Sequence, residues 1–255
     1  HTCLVDPTGG AQCWGDGARG QLGDESLSSS ATPRAVGGLG RVTALSAGGR
    51  HTCALRADGE LMCWGDNDKG QLGSGVALAN PAPVALPNLP TEGQPAFGAT
   101  HTCWLGLDHT VRCWGDNGSW QLGTDAVDSS VAPVVPGELG AAKALSVGQG
   151  FGCAALLDGT VKCWGDSLVH GYPGVGPINS AMEFPPPNVD LGGEVISVAG
   201  HLGSFTCAVL ADKSLRCWGE NNWGQLGNGS TKPIGDNEAP ASIPPVPRAR
   251  RVLGR

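Results

Sequence analysis

The sequence predicts an all-β protein, a β-propeller of about five visible four-stranded blades with one disulfide inside each blade. Three observations predict it. A unit of about 50 residues recurs five times in tandem. Ten cysteines fall into five pairs of identical spacing. No segment sustains a 3.6-residue hydrophobic period, whereas short β-prone runs and turn residues recur throughout. A unit of this size cannot bury a core alone and must stack on its neighbours, so the repeats argue for a single domain over residues 1–255.

Aligned on the Cys-Trp-Gly triplet, the units run 1–50, 51–100, 101–150, 151–204 and 205–255. Each reads aromatic-Thr-Cys, an apolar step, a short turn, Cys-Trp-Gly-Asp, Gly-Gln-Leu-Gly, a Pro-containing stretch, then an apolar strand closed by Gly. Val42-Thr43-Ala44-Leu45-Ser46 and Glu194-Val195-Ile196-Ser197-Val198 are such closing strands, ended by Gly48 and Gly200. Pro33, Pro83, Pro133 and Pro240 recur between the Gly-Gln-Leu-Gly turn and that strand. Proline cannot donate to a ladder, so this stretch is expected to be an outer edge strand or a loop. Three or four short strands per unit, repeated radially, make a propeller blade.

The cysteines pair as Cys3 with Cys13, Cys53 with Cys63, Cys103 with Cys113, Cys153 with Cys163, and Cys207 with Cys217. Cys53 and Cys63 are symmetric about Asp58. Folding Ala57-Asp58-Gly59 as a three-residue hairpin loop, with Gly59 left-handed, pairs Arg56 with Glu60. Leu55 then faces Leu61, Ala54 faces Met62, and Cys53 faces Cys63 in a non-hydrogen-bonded pair. Such pairs lie about 4.5 Å apart at Cα, within reach of a disulfide. Pro7-Thr8-Gly9 and Leu157-Asp158-Gly159 suit the same loop, while His109 and Lys213 stand at the left-handed position in units three and five and are expected to be strained. Nine intervening residues are wrong for structural zinc and for a redox motif. The pairs are therefore five structural disulfides, which places the chain in an oxidising compartment: extracellular, periplasmic or cell surface.

Charge is sparse and acidic, with 16 Lys and Arg against 23 Asp and Glu. That argues against nucleic acid or an anionic membrane as partner. Arg248, Arg250, Arg251 and Arg255 form the one basic cluster and read as a solvated tail. No stretch is long and apolar enough to span a bilayer, so no membrane insertion is expected. The chain opens inside a repeat, at His1-Thr2-Cys3, and reads as a trimmed product, part of a longer chain.

Cys-Trp-Gly-Asp-Asn-Asp-Lys-Gly-Gln-Leu-Gly at 63–73, followed by Pro83, an apolar strand and a closing Gly, resembles the regulator-of-chromosome-condensation repeat. His-Thr-Cys-Ala-Leu at 51–55 matches its next strand. The resemblance covers essentially the whole chain and is weakest in unit four. It implies a propeller of four-stranded antiparallel blades, usually seven. Five units and the paired cysteines depart from the intracellular members, which suggests a disulfide-stapled, bacterial extracellular version. The family's nuclear exchange factor works through a protruding hairpin, and no insertion of that kind is present. Its ultraviolet photoreceptor resembles Gly-Trp-Arg-His-Thr at the repeat joints; Gly48-Gly49-Arg50-His51-Thr52 has Gly in place of that Trp, which argues against photoreception. A secreted bacterial member inhibits β-lactamase, which implies that protein binding suits an exported version.

Residues present in every unit serve the repeat. Trp14, Trp64, Trp114, Trp164 and Trp218 are expected to pack between blades. His1, His51 and His101 share a position that Phe151 and Phe205 also fill, so metal is not expected there. Asp16, Asp66, Asp116, Asp166 and Glu220 follow Trp-Gly as turn residues, and Asp66-Asn67-Asp68 is the nearest approach to a calcium loop. Unrepeated residues are more telling. Trp120 replaces a Gly before Gln121-Leu122-Gly123, Trp223 precedes Gly224-Gln225-Leu226-Gly227, and Tyr172 is the one tyrosine, in the irregular unit four. Large aromatics on loops anchor interfaces. Trp120, Tyr172 and Trp223 are the candidate binding residues, with Trp104, Met182 and Phe184 behind them.

No nucleophile elbow, phosphate loop or metal-bearing helix appears. The expectation is an extracellular protein-interaction module, not an enzyme, without cofactor or metal, binding through loops of one propeller face. A lectin-like carbohydrate-binding propeller and a structural repeat of a larger surface or filament protein are the alternatives.

Overall fold

The computed structural model describes residues 1–75, 77–86, 89, 92–166, 186–200, 203–235 and 238–247. It contains five antiparallel sheets in chain order. The first is β1 (Thr2–Val5), β2 (Ala11–Gly15) and β3 (Ser30–Ala35). The second is β4 (Val42–Ala47), β5 (His51–Arg56), β6 (Leu61–Gly65) and β7 (Asn80–Ala85). The third is β8 (Gly93–Phe97), β9 (His101–Gly106), β10 (Val111–Asp116) and β11 (Ser129–Val134). The fourth is β12 (Ala142–Val147), β13 (Phe151–Leu156) and β14 (Val161–Gly165); the fifth is β15 (Val195–Ala199), β16 (Phe205–Leu210) and β17 (Leu215–Gly219). From the second sheet on, each sheet opens with the last strand of one sequence unit and continues into the next.

Two sheets have the four strands expected of every blade; three have three among the described residues. The first starts at β1, where Leu4 and Val5 are exposed. In the fourth and fifth sheets the outermost position is held by single bridges, Lys162 to Asn188 and Gly219 to Ile234, rather than by a full strand. The proline strands β3, β7 and β11 are outer edges, as a missing N–H requires. Pro240 instead opens a 3₁₀ turn, Pro240–Ser242.

The hairpin register follows the cysteine spacing. Cys53 pairs with Cys63, Ala54 with Met62 and Leu55 with Leu61. Arg56 N–H donates to the Glu60 carbonyl at 2.9 Å. All five disulfides form between directly opposed residues. Cys3 joins Cys13, Cys53 joins Cys63, Cys103 joins Cys113, Cys153 joins Cys163, and Cys207 joins Cys217. Their Cα atoms lie 4.0–4.1 Å apart, closer than the spacing of about 4.5 Å of an unbridged pair. The second cysteine of each pair is buried: Cys13, Cys63, Cys113, Cys163 and Cys217. Each bridge thus carries one cysteine into the core, while the first cysteines Cys3 and Cys207 are half-buried. Gly9, Gly59 and Gly159 take the left-handed loop position at φ +90°, +87° and +88°. His109 and Lys213 are forced into it at +61° and +66°.

Successive sheets pack face to face: β1 lies on β4, β4 on β8, β8 on β12, and β12 on β15. The core sits in these junctions. Trp64, Trp114, Trp164 and Trp218 are fully buried there, and Trp14 is half-buried. The fit is close enough that a Cβ on Gly73, at φ +68°, would stand 2.7 Å from the Trp114 Nε1 of the next sheet. Trp104, expected among the lesser binding candidates, is a core residue. It points from β9 into the second junction with Trp114, Leu72 and Phe97, under Gly93, where a Cβ would collide with its ring.

Candidate interaction face

The connections that follow β2, β6 and β17 carry the Gly-Gln-Leu-Gly turn, and the one after β10 carries Trp-Gln-Leu-Gly. These loops share one end of the propeller and keep one construction. The Gln side-chain oxygen accepts the N–H two residues back: Gln21 from Arg19, Gln71 from Lys69, Gln121 from Ser119 and Gln225 from Trp223, at 2.7–3.0 Å. The following Leu is buried. In three loops a buried Asn turns inward, and Asn67, Asn117 and Asn221 Oδ1 accept the N–H of Leu72, Leu122 and Leu226 at 2.8–3.0 Å. Asn67 thus serves its own loop, which removes the middle oxygen from the calcium-like run Asp66-Asn67-Asp68. The Asp residues make Asx turns, as with Asp16 accepting from Ala18 and Asp116 from Gly118.

The Gln backbone carbonyl ties each loop to the next sheet. Gln21 O accepts from Thr52 Oγ1 at 2.9 Å and Trp64 Nε1 at 3.0 Å. Gln71 O accepts from Thr102 and Trp114 at the same distances. The Thr hydroxyl, having donated, must accept from the preceding histidine, so His1 and His51 donate through Nε2 at 2.7 and 2.9 Å. The histidines that a metal ring would need are instead one per junction. In the third junction Gly152 replaces the threonine, and neither ring nitrogen of His101 makes a well-formed hydrogen bond among the described residues. Burial holds His51 at a pKa of about 3, helped by the neighbouring His101. Burial likewise holds His101 at about 4, with Asp116 and the Phe151 backbone pulling the other way.

On this frame the loops present unlike residues at equivalent positions. Arg19, Lys69, Ser119 and Trp223 share one place; Gly20, Gly70, Trp120 and Gly224 share the next. Arg19 reaches the following sheet at Asp66 (3.9 Å) and Asp68 (3.0 Å), and Lys69 reaches Asp116 at 3.6 Å. Trp223 is 90% exposed. Trp120 is half-buried and held at φ +56°, where Gly20, Gly70 and Gly224 lie at +80°, +81° and +76°. Trp120 and Trp223 therefore occupy the same face on different blades. Tyr172, Met182 and Phe184 lie outside the described residues. The Cys-Trp-Gly alignment stacks Arg19, Lys69 and Ser119 at one position, but their unlike chemistry gives that position no signal in the sequence.

Residues 9–55 and 58–105 match the family described as Regulator of chromosome condensation (RCC1) repeat, and residues 42–71 match a second description of the same repeat. Residues 9–105 thus carry regulator-of-chromosome-condensation repeats. No curated protein matches it in sequence. Among solved structures, human WBSCR16 is similar with a TM-score of 0.79 at 20% identity, over 96% of this chain and 64% of that one. Yeast RCC1 (Prp20) bound to Kap60 gives 0.77 at 20% identity, over 96% and 59%. Prp20p from Saccharomyces cerevisiae, described with its binding properties to Gsp1p and histones, gives 0.73 at 22%, over 89% and 58%. This repeat protein thus spans about 60% of the length of those structures, and the likeness shows the fold. Among the described residues no group of three or more His, Cys, Asp or Glu is placed to hold a metal ion. None of their helices is long and apolar enough to cross a membrane.

Proposed function

We propose that this chain is an extracellular protein-interaction module without catalytic activity, which captures its partner through the Gly-Gln-Leu-Gly loops of one propeller face. The observation that carries the reading is Trp120 at φ +56°. A left-handed non-glycine residue costs about 1–3 kcal/mol and persists where function holds it. The sister loops show that glycine fits the position. Trp223 adds a nearly fully exposed indole on the same face, the residue type that most often anchors an interface. Tyr172 is proposed as a third anchor on its place in the irregular unit.

The yeast relative was crystallised bound to Kap60 and is described as binding Gsp1p and histones; protein binding is therefore a use this fold supports. Five disulfides support an oxidising setting, outside the cell, in a periplasm or on a cell surface.

The test is capture from the native extracellular medium on immobilised oxidised protein, with Trp120→Gly and Trp223→Ala beside the wild type. Loss of the captured protein in variants that unfold at the wild-type temperature is the expected result. Capture unchanged in both variants overturns the reading, and glycan-array binding with no captured protein replaces it with a carbohydrate-binding one.

A further inference from the structure

Asn-Gly occurs twice in the sequence, at Asn117-Gly118 and Asn228-Gly229. In this dipeptide the glycine nitrogen can reach the preceding side-chain amide, because no Cβ hinders the approach. The fold treats the two copies oppositely. Asn117 is 5% exposed. Its Oδ1 accepts from the Leu122 N–H at 2.8 Å, and its Nδ2 donates to the Thr124 and Val127 carbonyls. The Gly118 N–H donates to Asp116 Oδ1 at 3.3 Å. Asn228 is half-buried and Gly229 exposed, at φ +78° with open space where a Cβ would stand. Among the described residues neither the Gly229 N–H nor Asn228 Nδ2 makes a hydrogen bond. Asn228 Oδ1, by contrast, accepts twice, from Asn221 Nδ2 at 3.2 Å and from the Ser230 N–H at 3.0 Å. A backbone N–H can only donate, which fixes the oxygen of Asn228 on that side.

We propose that Asn228 is a site of spontaneous deamidation in the folded protein, and that the fold protects Asn117 from the same reaction. Hydroxide from solution removes the Gly229 N–H proton, and the nitrogen adds to Cγ of Asn228. The new C–N bond closes a five-membered imide, and the Cγ–Nδ2 bond breaks with release of ammonia. Water then opens the imide, at Cγ to leave aspartate or at the main-chain carbonyl to leave isoaspartate. The balance is one water taken up and one ammonia lost, with nothing oxidised or reduced. The Ser230 bond makes an Asx turn that folds the carboxamide back over the Gly229 peptide. Both donors on Oδ1 face the oxygen where negative charge develops as the nitrogen adds, the arrangement that stabilises an oxyanion. At Asn117 the same step breaks both Nδ2 bonds in a buried site, so it has to wait for local opening of the loop. The product bears on the interaction face. Isoaspartate adds a methylene to the main chain just where Asn221 Nδ2 also donates to the Ser230 and Lys232 carbonyls, at 2.9 Å each, while Asn221 Oδ1 holds the Leu226 N–H. Those bonds shape the loop that carries Trp223.

The test incubates the oxidised protein in mildly alkaline ¹⁸O-labelled water beside a reduced, denatured sample, and follows each asparagine by peptide mass spectrometry. Labelled water marks the new carboxylate, which separates deamidation during incubation from any that came before. Asn228 is expected to take up label in the folded protein at least as fast as in the unfolded one. Asn117 is expected to take it up at least roughly tenfold more slowly folded than unfolded, since its reaction requires opening. Asn228→Gln, whose longer side chain would have to close a six-membered ring, is expected to stop labelling at that position. No label at Asn228, folded-state labelling of Asn117 as fast as Asn228, or an Asn228 rate that rises on unfolding overturns the inference. So does an Asn117 that stays unlabelled in the denatured sample, because its protection would then not come from the fold. None of these readouts involves a partner, so the inference and the protein-binding reading fail separately.

Discussion

Trp64 donates its indole N–H to the backbone carbonyl of Gln21, 3.0 Å away and 43 residues earlier in the chain. The relationship recurs as Trp114 to Gln71 and Trp164 to Gln121, each at 3.0 Å. It turns a local loop into the clasp between consecutive blades, because the carbonyl that receives the indole belongs to the turn that the Gln side chain itself closes. Unit four lacks Gly-Gln-Leu-Gly, and the Trp218 N–H is buried without a hydrogen bond among the described residues.

Removing the indole N–H should therefore matter at one site and not at the other. Trp164→Phe is expected to cost about 1 kcal/mol more than Trp218→Phe, the net value of a buried hydrogen bond. Urea unfolding of the two variants checks this, and equal losses would show that the clasp contributes nothing beyond packing.

Stability should fall as the solution is acidified, and two histidines set the window. His51 and His101 are buried neutral with pKa values of about 3 and 4, against an ordinary value near 6.5 in the unfolded chain. Burial is the main cause in both. Above pH 6.5 neither state binds the protons and nothing is lost. Below it the unfolded chain takes them up and the folded chain does not, so stability declines by about 1.4 kcal/mol per pH unit for each histidine until the folded pKa is reached. His101, with no well-formed hydrogen bond to lose, gives the clean test. His101→Phe, the residue type found in register at Phe151 and Phe205, is expected to raise stability at pH 5 and flatten the decline between pH 6.5 and 4.

Each disulfide closes a loop of the same size, sequence separation 10. The chain-entropy model gives about 2–3 kcal/mol for a loop of this length. Replacing Cys53 and Cys63 together by alanine should lower the unfolding free energy by that amount while the far-ultraviolet spectrum keeps its β character. A much smaller loss would indicate that the hairpin is equally closed in the unfolded ensemble.

The hairpins were legible because two local rules act together there. Cysteine spacing set the Cys53–Cys63 register, and the same arithmetic placed Cys13, Cys113, Cys163 and Cys217 opposite Cys3, Cys103, Cys153 and Cys207. The residue at the third loop position set the backbone sign, left-handed for Gly59 without strain and for His109 with it. Outer-edge prolines were legible for the same reason, since a missing donor is a local property. What did not show was pairwise across junctions. Trp104 differs from Ala54 and Ala154 in a way that reads equally as a surface anchor or as a core plug, and only the position of Gly93 above its ring decides for the core. The Gln21 carbonyl is invisible as a site because backbone atoms carry no sequence signature. The position of Arg19, Lys69, Ser119 and Trp223 was hidden by its variability, for these residues share no chemistry and are equivalent only through the frame around them.

Trp120 offers the sharpest separation of function from stability. Its left-handed backbone costs about 1–3 kcal/mol, against which glycine brings a greater unfolded-state entropy of about 0.5–1 kcal/mol and surrenders the contacts of a half-buried ring. These terms nearly offset, so Trp120→Gly is expected to shift the melting temperature by no more than a few degrees in either direction. Leu122→Ala, two residues on and fully buried, should by contrast cost about 2–5 kcal/mol. Thermal unfolding of both variants beside partner capture completes the comparison. Trp120→Gly that folds as well as the wild type and captures nothing marks a residue kept for binding. Trp120→Gly that loses as much stability as Leu122→Ala marks one kept for packing, and the binding role would then rest on Trp223.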